Sequence, residues 1–255
     1  MNRPPKAYFV ADLHLGAAYI ADPREHELRV VRWLEEEVRP NATQLFLLGD
    51  VLDFWWEYRT VVPRGFTRFL GTLARLADSG VEITWLKGNH DIWLFDYLRS
   101  EIGMRVIDGA LEQTILGSRF FMEHGDGVGR LPRSFRMLRA LFRWRPAQRL
   151  FAAVHPRWTL GLAHAWSARS RRRGGYLGDA RQDDTAVLAP LESFARSFEA
   201  ENPHRVDYFV FGHVHRTASL TLPGGARMIV LGDWIERFTY ATFEGTEMRL
   251  HTFQG

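Results

Sequence analysis

Short apolar runs that end on a polar cluster recur along the first half of the chain. Between them lie stretches whose apolar positions repeat every three to four residues. "KAYFVADLH" reads as a strand. Over residues 23–38 the period becomes helical, with Leu28, Val31 and Leu34 on one face. "TQLFLLGD" reads as a second strand, followed by a helix over residues 64–77 that stops near Gly80. "VEITWLKGNHD" and "SRFFMEHGD" are further strands. Helical spacing returns over residues 185–200 through Leu188, Leu191, Phe194 and Phe198, and "VDYFVFGHVH" is again a strand. The C-terminal part changes character. "ASLTLPGGARMIVLGD" turns at Pro223–Gly225 and "TYATFEGTEMRLHTF" turns at Gly245, as antiparallel hairpins do. Alternating strand and helix followed by hairpins predicts an α/β fold of packed sheets flanked by helices.

The polar clusters share a place. "ADLH" (Asp12, His14), "GDVLD" (Asp50, Asp53), "GNHD" (Asn89, His90, Asp91), "EHGD" (His124, Asp126) and "GHVH" (His213, His215) each close an apolar strand. Ligands of open α/β sheets gather beyond the carboxyl ends of strands. A single Asp-x-His pair, or "GD" after a strand, is ordinary turn chemistry. Five such clusters on five strands predict one site.

Composition narrows what that site can be. The chain has 255 residues and no cysteine, so it is long enough for one domain with an insertion, and thiolate ligands are excluded. Oxygen and imidazole donors then favour two adjacent divalent ions, manganese, iron or zinc over magnesium. Such a pair clamps the attacking and leaving oxygens of a phosphoryl displacement. No run approaches the ~20 apolar residues of a membrane span, and no targeting segment is visible. The expectation is a cytoplasmic protein, soluble or peripheral.

Charge singles out one segment. The net charge is only +3, yet residues 128–178 hold no Asp or Glu and twelve arginines, with Trp144, Trp158 and Trp166. "PRSFRMLRALFRW" sets Phe135, Leu138, Leu141 and Phe142 on one helical face and arginines elsewhere. This predicts a helical insertion, residues 128–179, into a core of residues 1–127 and 180–255. Arginine faces opposite Trp and Phe are the composition of helices at an anionic lipid surface. Nucleic acid is the competing anion, which the short aromatic helices do not favour. A solvated helical pair, or a metal-free interaction scaffold, are the remaining readings. Arg169, Arg171, Arg172 and Arg173 ("RSRRRGG") are candidate phosphate contacts.

In order, Asp12-x-His14, Gly49-Asp50-x-x-Asp53, Gly88-Asn89-His90-Asp91, His124 and Gly212-His213-x-His215 resemble the calcineurin-like metallophosphoesterase pattern over residues 12–215. The resemblance implies a sandwich of two mixed β-sheets flanked by helices. It implies that Asp12, His14 and His215 bind one ion, that Asn89, His124 and His213 bind the other, and that Asp50 bridges them. His90 would stabilise or protonate the leaving oxygen, while Asp53 and Asp91 would orient neighbours or close turns. "GDVLDFWWEY", "EHGDGVG" and the basic insertion further resemble the UDP-2,3-diacylglucosamine diphosphatase family of lipid A synthesis. That implies a glycolipid sugar-nucleotide substrate, contacts to it from Asn89, His90 and His213, and two Mn2+ ions. It also implies a basic cap that receives acyl chains and touches the inner membrane surface, with Asp126 orienting a ligand or the sugar. One position departs: the family's best-known branch has Arg after the metal-binding Asn, where this chain has His90. The sequence says nothing of oligomeric state.

Overall fold

The computed structural model describes residues 4–129, 133–155 and 184–255. Two mixed sheets form its centre. The first runs β11 (Met248–Thr252), β10 (Thr239–Phe243), β1 (Ala7–Val10), β2 (Gln44–Leu48), β3 (Glu82–Leu86), β4 (Arg105–Ile107). Strands β1 to β4 are parallel, and β10 lies antiparallel to β1. The second runs β5 (Leu111–Ile115), β6 (Ser118–Met122), β7 (Tyr208–Phe211), β9 (Arg227–Leu231), β8 (Thr217–Thr221), with β6, β7 and β9 parallel. The expected α/β sandwich is present.

Period-two alternation divides the core. In β1, Ala7 and Phe9 join Phe46, Phe120, Tyr208 and Phe243 between the sheets. Tyr8 and Val10 face outward under the helices instead. In β7, Tyr208 and Val210 face the other sheet, while Phe209 and Phe211 meet α6 (Asp184–Glu201) through Leu191 and Ala195. Both faces are covered, so these strands read as unbroken apolar runs.

Helix α1 (Pro23–Trp33) starts as its sequence implies, with Asp22 Oδ1 accepting the Arg24 and Glu25 N–H groups at 3.0 and 2.9 Å. A π-helical turn (Leu34–Val38) and a final turn (Arg39–Asn41) extend it. Its buried face is His26, Glu27, Val30, Trp33 and Leu34; the expected Leu28 and Val31 are only half-buried. The difference arises because two polar residues are buried with partners. His26 Nε2 donates to Leu13 O at 2.7 Å, and Glu27 Oε1 accepts the Arg68 and Phe69 N–H groups at the start of α2 (Thr67–Asp78). Helix α2 begins later than its period implies, since Phe66 sits at φ 57°, outside the helical region.

Helix α3 (Tyr97–Ile102), β4 and β5 were not expected. The hairpin from β5 to β6 turns on Leu116 and Gly117, both at positive φ. Such a two-residue turn normally carries Asn-Gly, so leucine concealed it. The described part of residues 128–179, where a helical insertion is expected, forms α4 (Arg133–Arg143) and α5 (Arg145–Ala153). They dock through Phe142 and Phe151 on Phe54, Trp56, Ile92 and Trp93, with the Trp56 and Phe151 ring centroids 4.2 Å apart. Not all of the arginine face is solvated: Arg139 pairs with Asp126 and Arg143 with Asp108, both acids lying outside the insertion.

Candidate metal centre

The parallel strands β1, β2 and β3 of one sheet and β6 and β7 of the other deliver their carboxyl ends to one edge of the sandwich. The loops that follow are laced by their backbones. Asp12 N–H donates to Gly49 O (3.1 Å), His14 N–H to Asp50 O (2.9 Å), Gly212 N–H to His124 O (2.9 Å) and Trp234 N–H to Asp12 O (3.1 Å). In this frame Asp12, His14, Asp50, His213 and His215 all take positive φ, between 46° and 71°. Each such residue costs about 1–3 kcal/mol, and such strain collects at functional sites. The glycines of the motifs explain themselves by close approach. A Cβ on Gly88 would fall 2.2 Å from Asp50 Oδ1, and one on Gly212 2.6 Å from Asp12 Oδ2.

Donor atoms converge in two adjacent sets that can each hold a cation. Asp12, His14 and His215 place one donor each within 4.8 Å of one another, and so do Asp50, His124 and His213. A third set, His14, Asp50 and His90, lies between them. Asp50 Oδ2 is 3.2 Å from His124 Nε2, 3.9 Å from His14 Nε2 and 3.9 Å from His90 Nε2. Asp12 Oδ1 is 3.5 Å from His215 Nε2 and 3.7 Å from His14 Nε2. Asp12 Oδ1, Asn89 Oδ1 and His124 Nε2 are buried and make no hydrogen bond, so they have the form of ligand atoms. His124 Nδ1 donates to Leu48 O at 2.7 Å, which leaves the lone pair on Nε2, toward Asp50.

The electrostatics demand positive charge. Burial alone would raise the pKa of Asp50, but His124, His90 and His14 outweigh it and hold the carboxyl well below the usual range. Asp12 behaves alike: burial opposes, and His215 and His14 prevail. Burial pulls His124 down, but Asp50, Asp12 and Asp126 together outweigh it and hold the imidazole well above its usual range. His215 is held at about 4 by burial, despite the opposing pull of Asp12. Two buried carboxylates among imidazoles with N and O donors fit divalent cations.

The neighbours have separate tasks. Asp53 Oδ1 lies 3.4 Å from His14 Nδ1 and 3.5 Å from His90 Nδ1. His90 Nδ1 donates to Asp53 O at 2.9 Å, and its own N–H donates to Asp50 Oδ1 at 2.8 Å. Asp91 closes the turn, accepting from Gly88 and Val51 N–H and from Trp85 Nε1. Burial and then Asp50 push its carboxyl up to about 6. Asp126, expected to orient a ligand or the sugar, is buried and accepts from Arg139 Nε at 2.9 Å, so its carboxylate tethers α4. Arg169, Arg171, Arg172 and Arg173 lie outside the described residues. Sequence reasoning missed Asp233, at the end of β9. It caps the Ile235 and Glu236 N–H groups, and its charge acts on His215. Its signal was "VLGD", a sixth apolar strand closed by an acid.

The family described as calcineurin-like phosphoesterase matches residues 5–217. A UDP-2,3-diacylglucosamine hydrolase of Porphyromonas gingivalis is 42% identical over 98% of this chain and 98% of its own length. One of Stenotrophomonas maltophilia is 30% identical over 90% and 91%. Among solved structures, vacuolar protein sorting 29 of Cryptosporidium parvum is similar over 98% of this chain and 90% of its own, at 13% identity and a TM-score of 0.47.

Proposed function

The chain belongs to the calcineurin-like phosphoesterase family, and on that premise we propose that it hydrolyses the diphosphate of UDP-2,3-diacylglucosamine to UMP and 2,3-diacylglucosamine 1-phosphate. The substrate reading is supported by relatives that bear that hydrolase name along nearly the whole chain. The chemistry is carried by one observation: two donor sets, Asp12–His14–His215 and Asp50–His124–His213, sharing a buried edge.

In this reading Asp12, His14 and His215 hold one ion and Asn89, His124 and His213 the other, with Asp50 between them. Bound there, two divalent cations would supply Lewis acidity and a hydroxide nucleophile near neutral pH; the mixed imidazole and oxygen donors suit manganese, iron or zinc, and we take the pair as Mn2+. A water oxygen bonds to one phosphorus, the bridging P–O bond breaks, and the leaving phosphate takes up the charge or a proton. His90 is placed for that last event. Its Nδ1 is committed to Asp53 O, so the proton it can give sits on Nε2, the nitrogen toward Asp50.

The insertion, residues 128–179, is read as a cap for the acyl chains. Its described helices expose Met137, Leu141, Trp144 and Leu150 beside the exposed Arg133, Arg136, Arg145 and Arg149, an interfacial composition. Among the described residues no helix is long and apolar enough to cross a membrane. We place the protein on the cytoplasmic face of the inner membrane, with Arg169 and Arg171–Arg173 as phosphate contacts. The deciding assay offers the acylated sugar nucleotide and DNA side by side in Mn2+. Release of UMP is expected. DNA cleavage without UMP release would overturn the substrate assignment.

A further inference from the structure

The loops that carry Asn89 and His124 leave different sheets, β3 and β6, yet they must serve one ion. Their outer flanks are joined by two arginines of α4. Arg139 Nε binds Asp126 Oδ2 at 2.9 Å, two residues past His124, and Asp126 is almost wholly buried. A Cβ on Gly127 would fall 2.6 Å from Glu123 Oε1 and 2.8 Å from Arg139 Nη2, so the guanidinium also faces the residue before His124. One turn further along α4, Arg143 Nη2 lies 4.0 Å from Asp126 and its Nε 3.3 Å from Asp108 Oδ1. Asp108 Oδ2 in turn lies 3.8 Å from Lys87 Nζ, two residues before Asn89. The chain of charges therefore runs from one loop to the other across the insertion.

We infer that Arg139 and Arg143 are positioning residues for the second cation, bracing the Asn89 and His124 loops so that their donors stay in register. The inference rests on the two-metal reading above. It makes the insertion part of the metal site as well as its cover. Without the brace, Asp126 keeps a buried and unpaired charge, and its loop must shift to hydrate it. Outer contacts of this kind are worth about 10–100-fold in metal affinity.

The sign separates this role from plain electrostatics. Removing positive charge near the site by Coulomb's law alone would tighten cation binding. Loosened donors weaken it. The test titrates Mn2+ into apo-protein and follows free ion and the exchange-coupled pair by EPR. Wild type should take up two ions. In Arg139→Gln/Arg143→Gln one of the two affinities should fall about 10–100-fold, the other should hold, and Arg139→Lys/Arg143→Lys should recover most of the loss. Arg136→Gln, on the exposed side of the same helix, should match wild type. If the double Gln variant does not fold at assay temperature, Arg143→Gln alone is read instead, since its partner Asp108 is exposed. Unchanged, tighter or equally weakened binding at both sites would overturn the brace. A wild type that takes up fewer than two ions would overturn the two-metal reading, and the brace with it.

Discussion

Asp53 holds its Oδ1 3.4 Å from Nδ1 of His14, the ring nitrogen opposite the one that approaches Asp12 and Asp50. A carboxylate behind a ligating imidazole fixes the tautomer and raises ligand basicity. Asp53→Asn keeps the shape and removes the charge. Affinity for Mn2+ should fall about 10–100-fold, and excess Mn2+ should recover activity. Calorimetric titration with an unchanged affinity would reduce Asp53 to a turn former.

Asp50 shares one donor set with His124 and His213 and another with His14 and His90. Asp50→Asn or His213→Ala should lower hydrolysis by several orders of magnitude with an unaltered circular dichroism spectrum. Chelator should reproduce the loss and Mn2+ reverse it. Full activity in metal-free protein would defeat the dinuclear reading.

His90→Ala should lower kcat by roughly 10²–10⁴-fold, the span of acid–base groups. Because His90 also belongs to a donor set with His14 and Asp50, metal content decides its task. Normal stoichiometry with low kcat assigns it to the leaving oxygen. A lost ion would make it a ligand.

Phe142 and Phe151 join α4 and α5 to Trp56 and Trp93. Phe142→Ser/Phe151→Ser should raise KM for the acylated sugar nucleotide, while cleavage of a small chromogenic phosphodiester survives. Each Å² of acyl chain left in water once the apolar floor is gone weakens binding by about 25 cal/mol. Equal losses on both substrates would show damage to the metals instead.

Burial holds the pKa of His26 below the ordinary imidazole value, and the neutral ring donates to Leu13 O. A depressed folded pKa contributes stability above the unfolded value, about 6.5. That stability is lost as pH falls below it, at no more than about 1.4 kcal/mol per pH unit. Between pH 7.5 and 5, wild type should therefore lose Tm faster than His26→Gln, whose amide can still donate. Parallel melting curves would contradict this.

The positions of the site residues were legible because each apolar strand ends on its polar cluster, and that is a local pattern. What they do to the backbone was not. Nothing within "ADLH" tells that Asp12 and His14 take positive φ, because the strain is held by ladders from residues 49–51 and 234. Asp126 read as a group orienting a ligand or the sugar, since its partners Arg139 and Arg143 approach from another element and nothing in "EHGD" announces them. His26 and Glu27 look like the solvated side of a helix until Leu13, Arg68 and Phe69 supply their hydrogen bonds. Hydrophobic period alone misplaces such a face. Leu116 in a left-handed turn hid the β5–β6 hairpin for a similar reason.

Strand β1 stands between β2 and β10, and Asp12 Oδ2 accepts the His213 N–H across 201 residues of chain. On the ribosome these partners are born far apart. At roughly 5–20 residues per second, Asp12 leaves the peptidyl-transfer centre about 10–40 s before the strand-end loop that completes its site. During that interval β1 has an open edge where β10 will pair, along Ala7, Tyr8 and Phe9. Completion of the full donor set therefore waits on residues 213–215. A nascent chain arrested before residue 213 should retain neither Mn2+ nor a protected β1.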